Sequence, residues 1–256
     1  MKDDDSRRLG RMRLSGKAAQ DSGKQAGWKL TAGVPLAKLI KPRLVAAPEL
    51  PVHSSPHSVA ANRFGRLAAI LEEIRPEPPR VVVVASPARG EGRSFTAINL
   101  ALALTERSSD VLLLDADLRR PPAIATWLDP APRLGLAELL AGRTELAHVL
   151  LELRNSDLQV LPSGAPPRDP LELLTSAGFE ELMAAARERF ERIVIDTPPI
   201  VPYSDADLVA RFADRVIFVA RAGQTRQSSL AQGLGLLTST PVVGTVVNDV
   251  TQLGDD

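Results

Sequence analysis

The 256-residue sequence contains no cysteine, which excludes disulfides, thiolate metal sites and cysteine nucleophiles. It also has no net formal charge, because 31 basic residues balance 31 acidic ones, and this argues against bulk attraction to nucleic acid or to an anionic bilayer. No apolar run approaches the roughly 18 residues that a membrane-spanning helix needs, and the N-terminus has no signal-peptide pattern. These absences predict a cytoplasmic protein with no transmembrane segment of its own and no nucleic-acid partner.

The N-terminal part of the sequence differs from the rest. Residues 1–58 mix Lys, Arg, Ser, Gly and Pro with short apolar patches of no clear period, which predicts a mostly disordered leader. Apolar residues recur at helical spacing over residues 58–74, and prolines then end that helix. We therefore expect one folded domain over residues 59–256.

Apolar runs alternate with helical patterns in the remainder of the chain. The runs predict strands at residues 81–85, 111–114, 158–161, 193–195, 216–220 and 242–247. Helices are predicted between them, at residues 93–106, 134–151, 171–190, 204–213 and 226–238. This alternation predicts a doubly wound, mostly parallel α/β sheet covered on both faces. Ligands of such sheets bind beyond the carboxyl ends of the strands, so functional residues should follow the apolar runs.

A loop with two glycines joins the first of these strands to a helix and reads S-P-A-R-G-E-G-R-S. Gly90 and Gly92 allow backbone N–H groups to surround phosphate oxygens, and the helix N-terminus adds its positive dipole end. Ser94 offers a hydroxyl ligand for Mg²⁺. The loop departs from G-x-x-x-x-G-K-[ST] at Pro87 and Arg93, so a tight turn without a ligand stays open on the motif alone.

Three carboxylates follow two other predicted strands. Asp115 and Asp117 stand at the end of the second strand, and Asp196 directly follows the fourth, as a Walker-B acid would. Buried charges need partners, and a magnesium nucleotide would supply them. The residues therefore predict a metal-phosphate site at this edge of the sheet.

Several motifs in order resemble the bacterial tyrosine kinases (BY-kinases), which belong to the deviant Walker A group of P-loop NTPases with the ParA/MinD-type ATPases. The family's P-G-E-G-K-S loop is matched at residues 89–94, except that Arg89 replaces its Pro and Arg93 its Lys. The family's N-L-A helix, D-x-D-x-R-x-P, G-L-x-x-L-L-x-G, L-P-x-G and D-T-P-P segments are matched at residues 99–101, 115–121, 135–142, 161–164 and 196–199. The resemblance covers about residues 59–256.

The resemblance implies that the domain binds ATP or ADP with Mg²⁺. The nucleotide-contacting positions that it implies are Gly90, Glu91, Gly92, Arg93, Ser94, Phe95 and Asn248, the last beside the adenine. The implied catalytic residues are Asp115, Asp117 and Arg93, with one of the aspartates taking the proton of a tyrosine hydroxyl. The implied Mg²⁺ ligands are Ser94, Asp117 and Asp196.

The implied function is regulation of exopolysaccharide or capsule biosynthesis or export at the inner face of the cell membrane. The implied partner is the cytoplasmic segment of a membrane polysaccharide co-polymerase. A homo-oligomer is left open, because Arg63 and Arg66 match the family's E-x-x-R-x-x-R ring motif whereas Ala60 replaces its acid.

Two further departures leave the activity open. Arg93 replaces the phosphate-contacting lysine, and Tyr203 is the only tyrosine, whereas the family usually has a tyrosine-rich tail. An active kinase or ATPase, a catalytically inactive pseudokinase scaffold and a ParA/MinD-type ATPase therefore remain as alternatives.

Overall fold

The structure, a computed structural model, describes residues 43–250 and contains a nine-stranded mixed sheet. The strands are β1 (Arg43–Ala46), β2 (Val81–Ala85), β3 (Val111–Asp115), β4 (Leu128–Asp129), β5 (Leu151–Leu153), β6 (Leu158–Leu161), β7 (Arg192–Asp196), β8 (Arg215–Arg221) and β9 (Val242–Asn248). Their order is β4-β1-β5-β6-β3-β7-β2-β8-β9, and the six strands from β6 to β9 in this order are parallel. The expected mostly parallel sheet is confirmed.

Helices cover the sheet on both faces. They are α1 (Pro51–Ser54), α2 (Val59–Glu72), α3 (Arg93–Thr105), α4 (Leu136–Leu140), α5 (Leu146–Val149), α6 (Pro170–Leu174), α7 (Ala177–Arg189), α8 (Asp205–Ala210) and α9 (Gln227–Leu236), with a 3₁₀ helix at Ile124–Trp127. Side chains of a strand point alternately to opposite faces, and β2 supplies Val83 to one apolar core and Val84 to the other. Because both faces are buried, β2 is apolar throughout.

The N-terminal boundary of the fold differs from the expectation for residues 43–58. In the structure β1 pairs with β5 and β4, and Leu50 is fully buried. A strand of only four residues shows too little alternation to be read from sequence, and its pairing partners lie far along the chain. The other residues of the expected leader, 1–42, lie outside the described residues, as do residues 251–256.

Two predicted helices are each divided in the structure. Residues 134–151 form α4, α5 and the start of β5, because Gly142 adopts a left-handed φ of 67° just after α4. Residues 171–190 form α6 and α7, where the Ser176 hydroxyl accepts a hydrogen bond from Phe179 N (3.3 Å) and caps α7. The apolar period continues through both interruptions, which is why the sequence predicted single helices.

Strands β3, β7 and β2 are neighbours at the centre of the sheet and run in the same direction. Their carboxyl ends therefore meet at one edge, where the loop after β2 leads into α3. Ten of the thirteen residues of α3 are buried, so the start of this helix is held firmly against the sheet. Within residues 43–250 no helix is long and apolar enough to cross a membrane.

Candidate functional site

The glycine-bearing loop has the backbone conformation that a phosphate loop needs. Gly90 and Gly92 adopt φ values of 83° and 90°, in the left-handed region that favours glycine. Gly92 caps α3, so the free N–H groups of the first turn of that helix point towards the loop. Asn248, at the end of β9, donates from Nδ2 to Glu91 O (3.1 Å) and so holds the loop against the end of β9.

Glu91 is one of the nucleotide-contacting positions that the resemblance implied, and its side chain is bonded within the protein. Its carboxylate accepts hydrogen bonds from Arg221 N (2.8 Å) and from the Thr225 hydroxyl. Only 7% of the residue is exposed, so these bonds connect the phosphate loop to the end of β8. The Glu91 side chain thus positions the loop.

The strand-end carboxylates lie together, as the strand pattern predicted. Asp115 and Asp196 are directly paired across β3 and β7, and each is at most 1% exposed. Asp115 accepts hydrogen bonds from Asp117 N (3.1 Å) and from the Ser163 hydroxyl (3.0 Å). Ser163 is not among the predicted site residues, although it belongs to the L-P-x-G segment at residues 161–164.

Burial raises the pKa of Asp115 well above its usual value, and the neighbouring Asp196 raises it further, against the lowering effect of the Ser163 hydrogen bond. Burial also raises the pKa of Asp196, although the Arg93 guanidinium and the nearby Ser94 hydroxyl oppose this shift. Two buried carboxyls so close together disfavour a second negative charge. A proton on one carboxyl or a cation beside the pair relieves this repulsion.

That cation is Arg93, whose side chain is turned towards the strand ends. Its Nε donates to Asp196 Oδ1 (2.9 Å), its Nη2 to Asp117 Oδ2 (3.0 Å) and its Nη1 to the Ser86 hydroxyl (2.9 Å). Arg93 is only 8% exposed. Each contact to a carboxylate is a charge-assisted hydrogen bond, the strongest class that side chains form.

The oxygen atoms at this site are of the type that Mg²⁺ binds, but their positions do not suit the ion. Oxygen ligands from Ser94, Asp117 and Asp196 are what a hard cation prefers. However, Asp117 and Asp196 each direct one oxygen to Arg93, at a spacing that the guanidinium fills. The residues therefore do not fit a metal ion held between these two carboxylates while Arg93 keeps this position.

A cavity of about 290 Å³ opens beside Asn248. Its wall is largely apolar and is formed by α2, the start of α3 and the end of β9. Phe95 lines it and packs edge to face against Phe64, with ring centroids 6.0 Å apart. Phe95 and Asn248, two of the nucleotide-contacting positions that the resemblance implied, thus border one cavity next to the phosphate loop.

Arg119 and Asp205 form a buried ion pair next to this site. Arg119 Nε and Nη2 donate to the two carboxylate oxygens of Asp205 at 2.6 and 2.8 Å, and Asp205 is fully buried. The Arg119 guanidinium also lies 4.1 Å from the centroid of the Tyr203 ring. No local sequence pattern links the two positions, because they lie 86 residues apart.

Comparison with known proteins identifies the family. Residues 79–240 match the AAA domain family, which is more than half of the chain. Tyrosine-protein kinase CpsD of Streptococcus agalactiae is 31% identical over 175 residues, covering 68% of this chain and 75% of CpsD. The chain belongs to the bacterial tyrosine kinase family. The expected BY-kinase resemblance and the deviant Walker A P-loop fold are thereby confirmed.

Other BY-kinase relatives extend the comparison. The crystal structure of the chimerical protein CapA2B2 superposes with a TM-score of 0.76 at 27% identity, covering 84% of this chain and 97% of that chain. The succinoglycan biosynthesis transport protein ExoP of Rhizobium meliloti is 31% identical over 212 residues, which is 79% of this chain but only 27% of ExoP. This BY-kinase homologue thus spans about a quarter of ExoP.

Proposed function

We propose that this BY-kinase homologue binds ATP or ADP, with the phosphates on the loop that precedes α3. The observation that carries the proposal is the left-handed pair Gly90 and Gly92 at the N-terminus of a buried helix, beside a cavity bordered by Asn248. Backbone N–H groups at such a position, together with the helix dipole, attract anionic oxygens. In this arrangement the backbone contributes more to phosphate binding than the Arg93 side chain, which is engaged elsewhere.

The adenine base would occupy the cavity beside Asn248. Phe64, Phe95 and Leu67 offer apolar and aromatic surface, and the volume of about 290 Å³ lies just below the lower end of the range of small-molecule sites. Asn248 Nδ2 donates to Glu91 O, and its amide oxygen can accept a hydrogen bond from the 6-amino group of adenine. Placed there, the base would be next to the loop that holds the phosphates.

The cellular function that we propose is regulation of exopolysaccharide biosynthesis or export, together with the cytoplasmic segment of a polysaccharide co-polymerase. Support comes from the relative ExoP, a succinoglycan biosynthesis transport protein in which this chain corresponds to about a quarter of the length. In that arrangement the domain would act at the inner face of the membrane through its partner. Oligomerisation through Arg63 and Arg66 on α2 belongs to the same proposal.

A second candidate is a catalytically inactive scaffold that binds nucleotide without transferring phosphate. The ion pairs of Arg93 favour it, because the residue at the phosphate-contacting lysine position is committed to Asp117 and Asp196. Phosphoryl transfer depends on positive charge at the γ-phosphate, which this side chain does not supply while those bonds last.

Isothermal titration calorimetry with a cavity-filling variant tests the nucleotide site. Ala60 is exposed on α2 and lines the cavity, so Ala60→Trp fills the base position with little effect on the core. We expect it to weaken ADP binding by about tenfold or more, the effect of losing roughly 1.4 kcal/mol, while tripolyphosphate binding stays unchanged. Val59→Trp is the matched control, because Val59 is exposed at the same helix end and lies outside the cavity lining.

Two results would count against the proposal. Wild-type protein that binds neither ADP nor tripolyphosphate would refute the phosphate site. Unchanged ADP affinity in Ala60→Trp would show that the adenine base does not bind in this cavity.

A further inference from the structure

The Arg93 side chain satisfies three acceptors at once at the strand ends. The Asp117 and Asp196 carboxylates and the Ser86 hydroxyl lie 2.9 to 3.0 Å from its three nitrogen atoms. The Ser86 hydroxyl in turn donates to Ala88 O (3.0 Å), so it presents a lone pair to the guanidinium. A planar fork with donors in three directions suits this geometry, whereas a compact lysine ammonium does not.

We infer that the Arg93 guanidinium is a built-in replacement for the divalent cation at this site, so that nucleotide binds here without Mg²⁺. The inference rests on the proposed nucleotide site. The cation that balances the strand-end carboxylates is part of the chain and nine-tenths buried. A metal ion could take its place only by breaking two charge-assisted hydrogen bonds and leaving a buried guanidinium without partners.

The occupancy of the carboxylate oxygens supports the same conclusion. Asp115 uses both oxygens to accept bonds from Asp117 N and Ser163, and Asp117 accepts from Arg93 on one oxygen and, at 3.4 Å, from Arg119 N on the other. Asp196 Oδ2 is the oxygen of these three carboxylates that has no hydrogen-bond partner in the described structure. Direct ligation of Mg²⁺ by any of the other five oxygens would compete with a hydrogen bond from Arg93, from the Ser163 hydroxyl or from a backbone N–H.

The inference predicts that two substitutions of Arg93 produce a response to Mg²⁺ that the wild type lacks. Arg93→Lys replaces the forked guanidinium by a compact ammonium. Because the ammonium cannot bridge Asp117 and Asp196, it leaves room for a cation. Arg93→Met removes the charge, so two buried carboxylates lose their partner. Both variants should gain thermal stability from millimolar Mg²⁺, because the ion binds the folded state only. The wild-type protein should show no gain beyond that from NaCl of equal ionic strength.

Arg89→Met is the matched control, since Arg89 is an exposed arginine of the same loop. Its melting temperature should be as insensitive to Mg²⁺ as that of the wild type. If Arg93→Met fails to fold, Arg93→Lys carries the comparison by itself, because it keeps the positive charge.

Calorimetry with ADP forms the second arm. Wild-type affinity should be the same in EDTA and in Mg²⁺, while Arg93→Lys should bind ADP about tenfold more tightly with Mg²⁺ than with EDTA. The inference is overturned if wild-type stability or ADP affinity rises with Mg²⁺ as much as that of Arg93→Lys. If no protein binds ADP, the proposed function fails, and the thermal arm still decides whether Arg93 excludes the metal.

Discussion

Gly92 and Asn248 are in such close contact that a Cβ on Gly92 would lie 1.8 Å from Nδ2 of Asn248. The same amide donates to Glu91 O and so holds the phosphate loop against the end of β9. Gly92 therefore meets two requirements, a left-handed φ of 90° and the absence of a side chain. Gly90 meets only the first, since nothing lies within 4 Å of its Cβ position.

This difference predicts unequal effects of alanine at the two glycines. Gly90→Ala should cost about 1 kcal/mol, the usual strain of a left-handed alanine. Gly92→Ala should cost clearly more, because Asn248 must also leave the loop. The double variant Gly92→Ala with Asn248→Ala should recover part of the loss, since it removes the clashing amide. Urea denaturation of the four proteins measures these differences, and equal losses for both glycine variants would contradict the contact.

The ion pair of Arg119 and Asp205 predicts a large asymmetry between neighbouring arginines. Arg119→Met leaves the fully buried Asp205 carboxylate without its cation, and removal of one partner of a buried pair costs about 3 kcal/mol or more. Arg120→Met, next to it and partly exposed, should cost less than about 0.5 kcal/mol. Adding Asp205→Asn to Arg119→Met should restore stability, because it removes the unpaired charge. A double variant no more stable than Arg119→Met would refute this explanation.

The sequence predicted the position of this site better than its internal connections. Asp115, Asp117 and Asp196 lie at the sheet edge where the strand pattern put them, because the end of an apolar parallel strand is a local signal that also fixes a place in the fold. The bonds of Arg93 and Glu91 depend on side-chain directions that only packing determines. The sequence indicates that Arg93 is cationic, but not whether it faces phosphate or the strand ends.

Short strands whose pairing partners lie far along the chain also could not be predicted from the sequence. β1 has four residues and pairs with β5, more than a hundred positions later, so the periodicity of residues 43–46 carries too little signal. By contrast, two motifs that are separate in the sequence, G-L-x-x-L-L-x-G and L-P-x-G, contact each other in the structure. Gly135 N donates to Glu138 Oε2 (2.9 Å), and a Cβ on Gly135 would lie 2.1 Å from Pro162 O.

The hydrogen bonds that Asp214 accepts predict that this residue contributes to folding stability in a pH-dependent way. Burial raises its pKa, but hydrogen bonds from Arg187, Val81 N and Arg80 N outweigh this effect and lower it from the usual value. A carboxyl whose pKa is lower in the folded state stabilises the protein above its unfolded pKa of about 3.9 and loses this effect as the pH falls through the folded value. Asp214→Asn should therefore cost about 1 kcal/mol at neutral pH and progressively less below pH 4.

Denaturant titrations at neutral and acidic pH check this prediction for Asp214. Glu77→Gln is the control, because Glu77 is exposed in the loop before β2. Its stability should follow the wild type at every pH. A loss in Asp214→Asn that is constant with pH would show that the carboxylate charge is not the cause.

Tyr203 is the only tyrosine of the 256 residues, and we expect it to remain unmodified. Its ring stacks on the Arg119 guanidinium, which is itself fixed by the buried Asp205, so the ring is not free to enter a second active site. Intact mass spectrometry after incubation with ATP should show no added phosphate on tyrosine. The control is Tyr203→Phe, which separates tyrosine modification from phosphate on serine or threonine. A phosphate mapped to Tyr203 would contradict the structural function of this residue.

The last prediction concerns ATP turnover. In the wild type the positive charge of Arg93 is directed to Asp117 and Asp196, so little of it is available to the γ-phosphate. Arg93→Lys frees a compact ammonium that can reach the phosphate, as in the G-K-[ST] loops. Recovering about 1.4 kcal/mol of charge stabilisation raises the rate about tenfold, which is the increase that we expect.

The assay for Arg93→Lys includes the cytoplasmic segment of a polysaccharide co-polymerase, because the proposed function has the domain act together with that segment. Arg89→Lys is the control, since this exposed side chain of the same loop carries an equal change of chemistry. If Arg93→Lys is slower than the wild type, the loop has adapted to arginine and the guanidinium takes part in transfer. If ADP binds but neither protein turns over ATP, the charge at residue 93 does not limit the reaction, and the scaffold is the better description of this domain.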